Sequence, residues 1–150
     1  MTFWVNTISW KKVTILGLIF TLLSFVVHQI EALLTMKYYL MPEYFGVWSK
    51  LMMPKPGPPP VEFFITSVVF SMVTGVGLCL IYYYLWEHLP KDKTKRIFYF
   101  ADLMLGTYLV FFTLPSYLMF NLPAQLLGFW FLSSFLIITI YSALLVKVLN

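Results

Sequence analysis

The chain has 150 residues, of which 61% are hydrophobic, 20% aromatic and only 11% charged. A soluble domain averages about 45–50% apolar and about 25% charged residues, so this chain lacks the polar side chains to cover its apolar surface in water. The net charge of +4 is small, and a lone cysteine, Cys79, excludes an intrachain disulfide or any zinc or iron–sulfur site built on paired cysteines.

Lys11 and Lys12 precede the first apolar run, as in the charged head of a signal peptide. That run continues well past the roughly 7–15 residues of a signal-peptide core, no small-x-small cleavage site closes it, and more apolar segments follow. It reads as an uncleaved first transmembrane helix. Crossing a hydrocarbon core of about 30 Å takes about 20 mostly apolar residues. Four stretches qualify, near 13–36, 61–86, 97–120 and 123–148. The expected fold is an all-α integral membrane protein, a four-helix transmembrane up-down bundle forming a single domain over 1–150.

The first connector, 37–60, carries Pro54, Pro56, Pro58, Pro59 and Pro60. These forbid continuous helix and favour an extended path. Tyr38, Tyr39, Tyr44, Phe45 and Trp48 precede them, suited to a membrane–water interface where amphipathic rings collect. The plain reading is an interfacial loop that caps the bundle, and the sharper one is a docking surface for a partner. The second connector, WEHLPKDKTKR at 86–96, is short and basic; membrane attraction explains it, and it is too short a charge run for a nucleic-acid role. The third is a turn around Asn121–Pro123, which makes the last two helices antiparallel neighbours.

With four spans, both termini share a side with the second connector. That side holds Lys11, Lys12, Lys91, Lys93, Lys95, Arg96 and Lys147, against Lys37, Lys50 and Lys55 on the other. The excess places both termini in the cytoplasm of a multi-pass cell-membrane protein.

On the first helix, alternating steps of three and four residues pick out Thr14, Gly17, Thr21, Ser24, His28, Glu31 and Thr35, all small or polar, while bulky apolar residues fill the other faces. Such a stripe belongs where helices approach closely and polar side chains find partners, so it faces protein and not lipid. The other helices carry weaker versions: Gln125, Gly128, Thr139 and Ser142 on the fourth; Asp102, Gly106, Thr113 and Ser116 on the third, with Pro115 expected to kink it. The second offers Thr66, Ser67, Ser71, Thr74, Gly75 and Gly77, spread over more than one face, and its two glycines are expected to serve packing and not a phosphate loop, since nothing strand-like precedes them.

Ionisable groups within the membrane cost about 2.5–3.5 kcal/mol each on the insertion scale and usually have a partner or a function. His28, Glu31 and Asp102 are the candidates. His28 and Glu31 lie three apart and can meet on one face. Their plain role is an interhelical contact that fixes register; the sharper one is a proton, ligand or metal site. Asp102 sits near the cytoplasmic end of its helix, at a depth different from His28, so one compact His–Glu–Asp centre is not expected.

Specific chemistries fail on counting. Two histidines at opposite sides cannot ligate one haem within the chain, two neighbouring ligands cannot complete a catalytic zinc site, and HQIE is a lone pair in reversed order relative to a di-iron helix motif. No serine elbow or Walker loop is present. Enzyme is therefore the weakest class, and no cofactor can be named. The leading expectation is a non-catalytic accessory or structural subunit of a larger membrane complex, in contact with lipid and with other subunits or further copies of itself. The alternatives are a small oligomeric proton-coupled transporter using Glu31 and His28, and a module binding a quinone or lipid. The last requires a cavity in the half of the bundle nearest the proline-rich loop.

Overall fold

A computed structural model of the protein describes residues 8–149. The described chain is all-α, with helices α1 (Trp10–Tyr39), α2 (Val61–Leu85), α3 (Lys93–Tyr108), α4 (Leu114–Met119) and α5 (Ala124–Leu149). A π-helical turn over Leu109–Thr113 joins α3 to α4, so the two make one span, Lys93–Met119. Four long apolar spans result, and the protein is a multi-pass four-helix membrane bundle.

Local chemistry sets the boundaries. Asp92 caps α3, its carboxylate accepting the Lys95 backbone N–H at 2.9 Å, which satisfies one of the free amides of the first turn. α2 starts directly after Pro60, where the proline run ends. Pro115 has no N–H to offer the carbonyl one turn earlier. The chain absorbs this by widening: the Leu114 N–H reaches back five residues to the Leu109 carbonyl, and the expected kink takes the form of a π turn. α1, at 30 residues, is about 45 Å long and extends beyond a 30 Å core. Its last turn therefore carries Tyr38 and Tyr39, which the sequence pattern assigns to the loop.

α1 packs between α2 and α5, and α5 packs in turn against α3. The half of the bundle that holds the chain ends is densely filled. Val13, Leu16, Phe20, Cys79, Tyr82, Phe100, Tyr141 and Leu145 are buried there. Phe20 meets Tyr141 edge-to-face at 4.9 Å, and Tyr82 meets Phe100 at 5.2 Å. The Tyr141 hydroxyl donates to the Gly75 carbonyl at 2.8 Å. Gly75 is glycine for a steric reason: a Cβ there would lie 2.6 Å from the Phe20 Cβ. Gly17 is nearly as tight, at 2.9 Å from a Val76 methyl. Gly77, by contrast, has open space around it.

Arg96 seals this end. Its Nε donates to the Pro90 carbonyl at 2.7 Å, and its guanidinium stacks 4.5 Å above Trp86. Lys12 donates to the Val148 carbonyl at 2.9 Å, at the C-terminal end of α5 where a cation also meets the favourable end of the helix dipole. The outward faces carry large exposed apolar side chains, Leu22, Phe70, Phe111 and Leu118 among them. Lipid tails are the solvent for such faces.

Candidate functional site

Toward the loop the packing changes. The positions of α1 and α2 that line this half include Ser24, Ser67 and Ser71, where the other half buries Phe20 and Tyr82. Small side chains on both helices leave a hollow of about 800 Å³. Trp48, Met53, Pro58 and Pro59 from the connector roof it, and Tyr108, Phe112 and Trp130 form its far wall. The π turn contributes here: Tyr108 and Phe112, either side of its start, both reach the cavity, with ring centroids 5.0 Å apart. Phe25, Leu33, Phe64 and Val68 line the hollow yet are exposed at the surface. The mouth thus lies between α1 and α2 and opens to the side, toward lipid.

Glu31 is the ionisable group deepest in this wall, 6% exposed. Its Oε1 is 2.7 Å from the Thr35 hydroxyl and 3.4 Å from that of Tyr39. The Tyr39 oxygen in turn accepts the Trp130 indole N–H at 2.8 Å, tying α1 to α5. Thr35 has a single hydroxyl proton and two acceptors, Oε1 and the Glu31 carbonyl at 2.8 Å, so it serves one at a time. Glu31 Oε2 faces His28 Nδ1 at 3.9 Å, too long for a hydrogen bond. The His28 side chain is 51% exposed and stands at the rim.

The polar stripe of α1 splits into two lines, each with seven-residue steps. Gly17, Ser24 and Glu31 are buried, and Thr35 continues that line. Thr14, Thr21 and His28 lie on its flank: Thr14 is exposed, Thr21 half-buried with its hydroxyl on the Gly17 carbonyl at 2.9 Å, and His28 stands at the rim. With 3.6 residues per turn, positions three apart stand about 60° apart around the helix, so the two lines point in different directions and only one faces the neighbouring helices squarely. Thr14 and His28, on the other, do not pack against protein as the spacing alone predicts.

Asp102 is exposed on α3 and does not line the cavity. Among the described residues, no three histidine, cysteine or acidic side chains gather as a metal site would require. Tyr39 and Trp130 are the participants that sequence reasoning missed. For Tyr39 a signal exists, since it continues the Glu31–Thr35 spacing by one more turn. Trp130 gives none, being one aromatic among several on α5.

Comparison with protein-family models, curated proteins and solved structures finds no match to this chain.

Proposed function

We propose that this protein is a membrane module that binds a lipophilic small molecule in the cavity beneath the proline-rich loop. A single observation carries the reading: a buried carboxylate faces a lipid-sized hollow whose walls are otherwise largely aromatic and aliphatic. Ligand sites have this make-up, about 300–1,000 Å³ of mostly apolar lining with a few polar groups that fix orientation. The hollow opens sideways between α1 and α2, so a molecule dissolved in the bilayer can enter it without crossing the packed half of the bundle. A carboxylate within the membrane is also costly without a role or a partner.

The cavity ranks this reading above an accessory or structural subunit, for which a filled bundle suffices. Proton-coupled transport needs a path through the other half as well, and Phe20, Tyr82, Phe100 and Tyr141 occupy it. With the termini on the cytoplasmic side, as the excess of Lys and Arg there favours, the mouth opens in the opposite leaflet and the occupant arrives from lipid.

The test is to purify the untagged chain from its own membrane in mild detergent, measure its native mass, and extract it with organic solvent for mass spectrometry. The expected result is one lipophilic class, enriched over bulk lipid and depleted in a cavity-filling Ser67→Phe variant. Co-migration with larger, different subunits and no enriched lipophile would return the accessory-subunit reading to first place.

A further inference from the structure

We infer that the occupant of the cavity is a neutral lipophilic alcohol whose hydroxyl bridges Glu31 and His28; this rests on the binding function proposed above. The starting point is the uneven satisfaction of Glu31. Oε1 has Thr35 at 2.7 Å and Tyr39 at 3.4 Å, whereas among the described residues Oε2 has only His28 Nδ1, at 3.9 Å. A carboxylate buried to this degree has strong reason to fill its remaining acceptor sites.

The 3.9 Å separation is too long for a direct bond, yet short enough for one atom to reach both groups. An oxygen seated off the line between them can lie about 2.8 Å from each, the usual length for such bonds. Its chemistry follows from the two groups. Glu31 Oε2 can only accept if ionised, so the bridging atom must donate to it. The neighbouring carboxylate favours the His28 tautomer with its proton on Nδ1, because a lone pair there would face negative charge. Nδ1 therefore donates, and the bridging atom must also accept.

A hydroxyl does both through one atom. An ammonium group has donors only, an ether or ketone oxygen accepts only, and an ionised fatty acid would set a second negative charge beside Glu31. The rest of the molecule is uncharged and largely apolar, since the walls, aromatic and aliphatic apart from a few serines and the Trp48 indole, offer it no further charged partner. The sideways mouth between Phe25 and Leu33 of α1 and Phe64 and Val68 of α2 gives such a molecule a route in from the bilayer.

The experiment uses three brominated C18 probes with the same chain, ending in a hydroxyl, a methyl ether or a primary amine. Each is titrated into the full chain in nanodiscs while tryptophan fluorescence is followed, because Trp48 and Trp130 line the cavity. Quenching that vanishes in Ser67→Phe is the cavity signal. For the wild type, the alcohol should bind about tenfold more tightly than the ether or the amine, as expected when one charge-assisted bond is gained or lost. Glu31→Gln should bring the alcohol within about twofold of the ether, because the acceptor for the hydroxyl proton loses its charge, whereas His28→Ala should weaken the alcohol and the ether alike, because both accept from Nδ1. The wild-type comparison requires no variant and stands even if Glu31→Gln folds poorly. Tighter binding of the amine would overturn the inference and make Glu31 a counter-ion. An alcohol-to-ether ratio unmoved by Glu31→Gln in folded protein would overturn it too, while leaving the cavity in place as a binding site. Equal quenching in the wild type and Ser67→Phe would instead remove the binding function itself.

Discussion

The two halves of this bundle are built from the same four spans but solve opposite packing problems. Near the chain ends, glycine on one helix meets a large ring on the next: Gly75 lies against Phe20, and Tyr141 reaches past both to the Gly75 carbonyl. Near the loop, small side chains on both helices, Ser24 of α1 and Ser67 and Ser71 of α2, line an open hollow. Lipid tails are as apolar as leucine, so helix association in membranes depends on packing and interhelical hydrogen bonds more than on removal from water. A half that forgoes packing must be held another way. Here the Trp130–Tyr39–Glu31 chain of polar contacts and the aromatic roof of Trp48, 4.9 Å from Tyr39, serve that purpose.

The contrast is most severely tested by removing a ring from each half. Phe20→Ala opens a void between Gly75 and Tyr141 that the rigid backbone contact cannot close. It should cost about 3 kcal/mol, the lower end of the range for phenylalanine truncation, because less of the apolar transfer term applies in lipid. Phe112→Ala, beside space that is already open, should cost less than about 1 kcal/mol. Denaturant titration in mixed micelles measures both. Equal losses would mean that the two halves are packed alike.

Adding bulk reverses the sense of the comparison. Gly75→Leu drives a side chain into the root of the Phe20 ring and should destabilise by about 1–3 kcal/mol, the range for overpacking. Ser67→Phe has room to fill, and its effect on thermal stability should stay within about 0.5 kcal/mol while ligand binding is lost. A thermal shift of the same size in both variants would argue against an open cavity in solution.

Hydroxyl deletions are subtler. Tyr141→Phe loses one buried hydrogen bond to a carbonyl, worth about 1 kcal/mol, with no effect on the cavity. Tyr39→Phe removes a donor from Glu31 and leaves the Trp130 N–H without its partner, so its stability cost of about 1–2 kcal/mol should come with weaker binding. The decisive readout is whether binding changes in one and not the other.

The four spans and the buried line of Gly17, Ser24, Glu31 and Thr35 were legible because membrane insertion and helix geometry act on local sequence, through length, hydropathy and period. The site is different in kind. Its hollow arises from what is missing opposite Ser24, a fact about α2 and α5 that no pattern along α1 contains. His28 shows the limit most clearly. By spacing it belongs to the same stripe as Glu31, yet a three-residue offset turns it about 60° around the helix, and the two residues divide between rim and wall.

The smallest expected effect concerns Asp102. It is exposed on α3, away from the cavity, and Asp102→Asn should leave both stability and ligand binding within about 0.5 kcal/mol of the wild type. A carboxylate on a lipid-facing surface is costly deep in the membrane and cheap near its edge, and α3 begins with Lys93, Lys95 and Arg96, which mark that edge. Asp102 lies nine residues beyond Lys93, about 14 Å along the axis. Part of that distance is headgroup region, so water and lipid headgroups remain within reach of a slight tilt or local thinning. Neutralising the side chain then removes little. If the native mass of the extracted protein drops instead, while its melting temperature as an isolated chain is unchanged, Asp102 holds another membrane subunit. The protein would then be a ligand-binding member of a larger complex, with the cavity half and the α3 surface serving separate partners.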